Sequence, residues 1–133
     1  MKNGVVMSSS YHVDETNKVV VCTLYCNVQF GKHEAYFHII EDMYKKKLPY
    51  IKWGSFEVKA KARCNASDTF NVETGKRIAE SRAKAKAFRT AKKLWNEIAK
   101  SLKKAAKSCE NTAIACNIAL NNEVEHVIEL CTQ

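Results

Sequence analysis

The sequence predicts an α+β protein in which an N-terminal antiparallel sheet of about four strands precedes a long basic helix and a second C-terminal helix. Two stretches, Lys18–Phe30 and Ser55–Cys64, alternate apolar and polar residues with the period of two that is typical of a half-buried strand. A third stretch, residues 79–102, repeats apolar residues at helical spacing. A chain of 133 residues fits one domain, with the sheet in residues 1–65 and the helical region in residues 71–131.

The first strands are bounded by turn residues. Residues 14–17 read Asp-Glu-Thr-Asn, which is turn chemistry, so residues 1–10 are expected to be either an edge strand or poorly ordered. In Lys18–Phe30 one face carries Val, Cys, Leu and Phe and the other carries Thr, Tyr, Asn and Gln. That division predicts one buried and one exposed face.

The middle of the sheet is less regular. A Gly-Lys pair at residues 31–32 predicts a tight hairpin, after which His33–Ile40 reads as a strand rich in aromatic and β-branched residues. Residues 41–49 include the only proline and are expected to form a loop or a single helical turn. Residues 50–53 are a candidate start for a further strand. Ser55–Cys64 then alternates without exception, which makes it the clearest strand of the sequence.

The long helix is expected to begin just after Asn71 and to run to about Ala106. Asn71 is a plausible N-cap, and Glu73 falls in the first turn, where the helix dipole favours an acid. Gly75 costs about 1 kcal/mol relative to alanine inside a helix. We therefore expect Gly75 to permit the close approach of another backbone or a ligand.

The apolar stripe of this helix is thin in its first half. It consists of alanine at 79, 83, 87 and 91, followed by the bulkier Leu94, Trp95, Ile98 and Leu102. Alanine alone buries little area against a sheet. The stripe therefore predicts a homo-oligomer in which a second copy of the chain contributes to the core.

The last segment, Asn111–Cys131, fits two structures. Its apolar residues fit a helical stripe over the whole length and a strand pattern near the end, and the Asn pair at 121–122 is a candidate break between the two. Length favours a helix.

Charge is distributed very unevenly along the chain, whose net charge is +8. Residues 76–107 contain twelve Lys or Arg and two acids, whereas residues 108–133 contain four Glu and no Lys or Arg. This separation favours an anionic ligand, and it also suits contact between the basic part of one subunit and the acidic part of another.

Several classes of protein are disfavoured. No apolar run is long enough to span a membrane and the first residues lack the apolar stretch of a signal peptide, so we expect a cytoplasmic protein without a membrane partner. The six cysteines lack zinc-site spacing, and those at 22, 26 and 64 are expected to be buried free thiols. No nucleophile, metal or phosphate-loop motif is present. We therefore expect no enzyme activity, no metal and no cofactor.

The candidate ligand site centres on cations of the long helix. Arg82, Lys86, Arg89 and Lys93 follow one another at steps of three and four residues and so form one stripe. This stripe lies at the edge of the apolar one, where a partly desolvated Arg binds phosphate well.

Aromatic and polar residues near the start of the helix complete the candidate site. One of four aromatic residues, Trp53, Phe56, Phe70 or Phe88, could stack on a base, although core packing accounts better for Phe56 and Phe88. Asn65 and Asp68 could hydrogen-bond a base edge or a ribose hydroxyl, and a simple turn motif explains them equally well.

One segment resembles a strand-to-helix joint that is common in small phage proteins. It reads CNASDTFNVETGKRIAESRA from Cys64 to Ala83, with a strand ending in Cys, an Asp-x-Phe motif, a Gly, and Ala and Arg on a helix. Together with the sheet-then-helices layout, this is similar to the first family of Thoeris anti-defence proteins. The resemblance implies a phage protein that sequesters cyclic ADP-ribose isomers, and in some members cyclic dinucleotides, without degrading them.

The resemblance also implies an assembly and a set of contacts. Members form dimers, often joined into hexamers, and hold the ligand between protomers. Arg82 and Lys86 match the basic residues one turn apart that meet nucleotide phosphates, and Asn65 with Phe56 or Trp53 matches the pocket. The departure is Lys86, since a second Arg is the expected residue. Two other functions fit the same residues: a nucleic-acid-binding or CRISPR-inhibiting phage protein that uses the basic helix directly, and a structural phage protein with a solvated helix.

Overall fold

The computed structural model describes residues 4–29, 41–42, 54–65 and 67–133. Its complete elements are three strands and one long helix: β1 (Val5–Asp14), β2 (Val19–Val28), β3 (Ser55–Arg63) and α1 (Val72–Thr132). Residues 41–42, in the segment predicted as a loop or a helical turn, are also helical. The strands form one antiparallel sheet in the order β1-β2-β3. The predicted α+β layout of a sheet followed by a helix is therefore confirmed.

The prediction of about four strands is not met in the part of the chain that the structure describes. The predicted strand at His33–Ile40, the hairpin at 31–32, and the segments at 43–49 and 50–53 lie outside the described residues. Residues 1–10 offered two alternatives, and the structure shows β1 as a ten-residue outer strand of the sheet. It pairs with β2 from Val5↔Val28 to Asp14↔Val19.

The turn between β1 and β2 lies where turn chemistry predicted it. The carboxylate of Asp14 accepts hydrogen bonds from the backbone N–H of Asn17 at 3.0 Å and from its side-chain amide at 2.8 Å. These two bonds lower the pKa of Asp14. Lys18 closes the turn with a positive φ of 55°, so the chain reverses within four residues.

The prediction of two helices was wrong, because one helix is continuous from Val72 to Thr132. The helical alternative for residues 111–131 is confirmed. Neither glycine nor proline occurs after Gly75, and each Asn of the pair at 121–122 costs only about 0.6 kcal/mol relative to alanine. That cost is too small to break a helix. The chain divides into two compact units, Met1–Ile98 and Ala99–Gln133, which are described separately below.

The start of α1 confirms the predicted cap. The side-chain oxygen of Asn71 accepts a hydrogen bond from the backbone N–H of Thr74 at 3.1 Å. The carbonyl of Asn71 also accepts the first helical bond, from Gly75 at 2.9 Å. Asn71 thus satisfies one of the N–H groups that every helix leaves unpaired at its start.

The core of the first unit lies between the sheet and α1. The inward faces of the strands contribute Val20, Cys22, Leu24, Cys26, Val28, Phe56, Ala60 and Ala62, and the helix contributes Ala79, Ala83, Ala87, Ala91, Leu94 and Ile98. Ala79, Ala83 and Ala87 have no exposed surface at all. The alanine stripe is therefore already covered by the chain's own sheet, so it gives no reason to expect a second copy in this core, and the homo-oligomer stays a prediction. Small side chains let the helix lie close to the sheet, so the contact needs no further layer.

Gly75 belongs to the same close contact. A Cβ atom added at Gly75 would lie 2.8 Å from Cγ2 of Val20, a side chain with no exposed surface. Gly75 is therefore required by the approaching side chain of Val20, and not by another backbone as one of the two sequence alternatives suggested. Val20 cannot easily move, because its β-branched side chain is stiff and fully enclosed.

We expect Gly75→Ala to destabilise the protein, although the same change normally stabilises a helix by about 1 kcal/mol. The clash with Val20 reverses the sign. Urea unfolding of Gly75→Ala, Val20→Ala and the double variant measures the coupling. In the Val20→Ala background, Gly75→Ala should become stabilising. A stabilising effect in the wild-type background would show that Val20 does not occupy this position.

The cysteines fall into two groups. Cys22 and Cys26 are buried free thiols, as expected, and burial raises the pKa of each. Cys64 is half-buried, and Cys109, Cys116 and Cys131 are exposed. The first two are therefore inert core residues, whereas the last three are accessible.

Candidate anion-binding seam between β3 and the helix

The cations predicted from the sequence line one groove on the β3 side of α1. The groove has a volume of about 290 Å³ and is lined by Ala60 and Lys61 of β3 and by Arg82, Ala85, Lys86 and Arg89 of α1. The helical steps of three and four residues place the three cations on one side of α1. Because β3 is an outer strand of the described sheet, this side of the helix faces the strand's edge.

Two of these cations hydrogen-bond that edge. Nη1 of Arg82 donates to the carbonyl of Lys61 at 3.0 Å, and Nζ of Lys86 donates to the carbonyl of Lys59 at 2.7 Å. Carbonyls two residues apart point to the same side of a strand, and a four-residue step keeps two helix side chains on one face. Arg82 retains four further N–H donors and Lys86 retains two. The bonds therefore fix both side chains in place while leaving donors for an anion.

Two helix acids, Glu73 and Glu80, lie on the other side of α1, toward β1. The carboxylate of Glu80 pairs with Nζ of Lys84 at 3.1 Å, and hydrogen bonds from Lys84 and Tyr11 lower the pKa of Glu80. Lys76 pairs with Glu73 at 3.8 Å and lies 5.5 Å from the ring centre of Tyr11. None of the ion pairs among the described residues includes the three groove cations. The groove consequently carries uncompensated positive charge.

A second cavity, of about 200 Å³, lies at the joint between β3 and α1. Its apolar lining comes from Ala62, Phe70 and Ile78, and its polar lining includes Asp68 and Thr74. The N-terminal turn of α1 also borders it, through Asn71 and Gly75. This end of a helix carries a partial positive charge, so the cavity combines apolar walls with a favourable environment for an anionic ligand.

The two cavities follow one another along the same side of the helix. Ile78 lines the cavity at the β3–α1 joint and Arg82, one turn later, lines the groove, a step of about 6 Å along the helix. On the strand, Ala62 and Ala60 make the matching step of about 7 Å. We call this continuous surface the seam. Its two cavities together reach the range of about 300–1,000 Å³ that is typical of small-molecule sites.

Four of the predicted site residues line the seam, and a fifth lies in the turn beside it. Arg82, Lys86 and Arg89 lie together in the seam, and Asp68 lines its apolar cavity. The carbonyl of Asn65 accepts a hydrogen bond from the N–H of Asp68 at 3.0 Å, so these two residues form the turn that was the alternative interpretation.

Of the candidate aromatic residues, Phe70 reaches the seam and Phe56 does not. Phe56 is 8% exposed and packs in the core, which agrees with the alternative given for it, and Trp53 lies outside the described residues. The aromatic residue that the structure brings to the seam is Phe70. Ile78 and Thr74 were missed by the sequence analysis. The signal for Ile78 was its place four residues before Arg82, on the same face of the helix.

Two larger hollows on the first unit lack this charge. One, of about 510 Å³, lies on the sheet face away from the helix and is bordered by Tyr25, Asn27 and Glu57 but by no cation. The other, of about 470 Å³, lies on the β1 side of α1, where Glu80 and Lys84 neutralise each other. The seam is therefore the better candidate for an anion, although each of its two cavities is smaller than either hollow.

The described residues contain neither a candidate metal site nor a candidate membrane-spanning helix. Within the ranges that the structure describes, no group of three or more His, Cys, Asp or Glu side chains is arranged to hold a metal ion. No helix in those ranges is long and apolar enough to cross a membrane. Comparison with known proteins found no matching family model, no matching curated protein and no matching solved structure.

Proposed function

We propose that the protein binds a phosphate-containing nucleotide in the seam and holds it without chemical change. The observation that carries this proposal is the juxtaposition of three cations without an ion-pair partner among the described residues, Arg82, Lys86 and Arg89, with a partly apolar cavity one helical turn away. A nucleotide has the same two parts, an anionic phosphate and a flat apolar base, at a comparable separation.

Each part of the seam has a role in this proposal. The guanidinium of Arg82 binds two phosphate oxygens as a fork, and the ammonium of Lys86 acts as a point charge. Arg89 adds a further charge at the open end of the groove. The base enters the cavity beside Phe70, where stacking on an aromatic ring contributes about 1–3 kcal/mol. The Thr74 hydroxyl can donate to or accept from a base edge or a ribose hydroxyl.

The nature of the nucleotide follows from the resemblance to the Thoeris anti-defence proteins. The resemblance extends the proposal to cyclic ADP-ribose isomers. The case for cyclic dinucleotides is weaker, because Lys86 lacks the bidentate fork of a second Arg. On this proposal the protein works in the cytoplasm of an infected host cell. It lowers the free concentration of the immune signal by binding it.

We expect no turnover of the bound nucleotide. The described lining of the seam contains no histidine, and its acid, Asp68, lies at a turn among apolar walls, so no acid–base pair is in place for hydrolysis. The test is to incubate cyclic ADP-ribose overnight with excess protein, denature the mixture and separate the products by chromatography. All of the nucleotide should be recovered unchanged. A product peak that requires the native protein would contradict binding without catalysis.

A second function, nucleic-acid binding, is favoured by one further observation. Lys59, Lys61 and Arg63 alternate on the sheet face away from the helix and are all exposed, so positive charge continues from the seam around the edge of β3. A long polyanion could use both surfaces. Its affinity should fall by about 10³–10⁵ between 50 and 200 mM salt if six to ten phosphates are contacted. A nucleotide bound through one or two phosphates should show a far smaller dependence.

Parallel titrations of cyclic ADP-ribose and of a labelled single-stranded oligonucleotide at the two salt concentrations separate these functions. The proposed function requires saturable nucleotide binding that survives at 200 mM salt. Tight oligonucleotide binding with a steep salt dependence and no nucleotide binding would favour the second function.

A further inference from the structure

The second unit, Ala99–Gln133, presents an apolar surface that no described residue covers. All residues from 102 to 133 are exposed, including large apolar side chains such as Leu120 at 59% and Ile128 at 57%. An isolated helix gains little stability from its own hydrogen bonds, and most helical stability in proteins comes from packing of an apolar face. A helix with this composition therefore needs a partner.

Nine apolar residues of this unit form one line along the helix. Ala113, Cys116, Leu120, Val124, Val127 and Cys131 follow one another at steps of three and four residues. Toward the N-terminus the line continues through Cys109, Ala106 and Leu102. At 100° per residue these side chains all lie within about 40° of one direction. We call this line the tail stripe; Ile114, Ile118, Ile128 and Leu130 of the same unit lie outside it. Its steps of three and four residues are the spacing of a helix-pairing seam.

We infer that the tail stripe pairs with the tail stripe of a second copy of the same chain, with the two helices antiparallel. The spacing of the stripe is nearly the same when read from either end. If residue numbers on the two helices add to about 233, Leu102 lies opposite Cys131, and Ala113 lies opposite Leu120. Cys116 then lies beside Cys116 of the other copy, near the twofold axis.

Charge selects the antiparallel orientation. Residues 99–108 carry four lysines and no acid, whereas residues 123–129 carry three glutamates and no cation. In an antiparallel pair the lysine segment of each helix lies along the glutamate segment of the other. In a parallel pair each segment would lie beside its own copy and repel it.

The available area suits a stable dimer. A helix of this length is about 50 Å long and 10–12 Å wide, and one third of its lateral accessible surface is roughly 700 Å². A standard stable interface buries about 800 Å² on each partner. The surface involved is separate from the seam, so dimerisation and nucleotide binding can be tested independently.

Cross-linking through single tail cysteines tests the orientation. Three variants each retain one of Cys109, Cys116 and Cys131 and carry alanine at the other two, and a fourth carries alanine at all three. After mild oxidation, the variant that retains Cys116 should form a disulfide-linked dimer, and the other three should remain at 15.1 kDa on a denaturing non-reducing gel. Cross-linking of all three single-cysteine variants would show a parallel pair and overturn the proposal.

Sedimentation equilibrium tests the surface itself with a matched pair of variants. Leu120→Glu places a charge within the tail stripe, whereas Ile118→Glu places the same charge about 160° away around the helix. Leu120→Glu should raise the dimer dissociation constant by at least 100-fold and lower the helical circular dichroism signal, and Ile118→Glu should change neither. A monomeric wild type at micromolar concentration, or equal effects of the two changes, would overturn the proposal.

Discussion

Replacing Arg82 by glutamine should weaken nucleotide binding by about 10- to 100-fold without unfolding the protein. A hydrogen bond to a charged group contributes about 1.5–3 kcal/mol, and every 1.4 kcal/mol corresponds to tenfold in affinity. Glutamine retains an amide N–H that can still donate to the carbonyl of Lys61, which Arg82 contacts at 3.0 Å. The change therefore removes the positive charge and the guanidinium fork, but it keeps an N–H donor for the carbonyl of Lys61.

Two further variants make this result specific. Arg77 is exposed on the opposite side of α1 from the sheet, so Arg77→Gln removes an equal charge from the same helix and should leave affinity unchanged. Lys86→Gln should weaken binding in the same direction as Arg82→Gln but by less, because the ammonium lacks the fork. Isothermal titration calorimetry on all three variants provides the comparison. Equal losses for Arg77→Gln and Arg82→Gln would indicate a diffuse basic surface in place of a site.

Replacing Ala83 by leucine should destabilise the first unit by about 1–3 kcal/mol or more. Ala83 has no exposed surface and packs between α1 and the sheet, so three added carbon atoms must push the helix away from β2 or adopt strained rotamers. A domain of this size is stable by only about 5–15 kcal/mol. The loss should therefore lower the urea midpoint clearly.

The control for this change is Ser81→Leu, which adds the same side chain at an exposed position of the same helix and should shift the midpoint little. The pair also decides what covers the alanine stripe. If a second copy covered it, Ala83→Leu would dissociate the assembly and leave the isolated chain stable. We expect instead that the fold itself is weakened at every protein concentration.

The regular parts of the fold were predictable because single residues or strict periods determine them. Alternation predicted β2 and β3, and the Asn71 cap predicted the start of α1 to the residue. Strand β1 was left open, because serines at 8, 9 and 10 interrupt its apolar alternation, and only pairing with β2 shows which side faces the core. The number of helices was misjudged because the long helix was expected to end near Ala106, although no glycine or proline follows Gly75 to end it there.

The alanine stripe shows why packing is harder to predict than secondary structure. The sequence gives the size of each side chain but not the distance between the layers that it separates. Alanine at 79, 83 and 87 was taken as a sign of missing area, whereas the helix lies close enough to the sheet for alanine to fill the space. The same close approach explains Gly75, whose neighbour Val20 is 55 positions earlier in the chain.

The candidate site was predicted in part for a similar reason. The stripe of Arg82, Lys86 and Arg89 follows from helical spacing alone. The apolar cavity beside it depends on Phe70 and Ile78 meeting the end of β3, which no local pattern reports. The bonds from Arg82 and Lys86 to the carbonyls of β3 likewise depend on which strand lies next to the helix.

The most direct test of the nucleotide-binding proposal is a capture-and-release measurement. The purified protein is mixed with cyclic ADP-ribose isomers and cyclic dinucleotides at 200 mM salt, washed by gel filtration and denatured by heat, and the released nucleotides are identified by mass spectrometry and quantified per chain. The wild type should release an intact cyclic nucleotide at a defined ratio to protein, and the Arg82→Gln/Lys86→Gln double variant should release almost none although it is folded. Equal release from both proteins would place the ligand away from the seam, and no release from the wild type would contradict nucleotide sequestration.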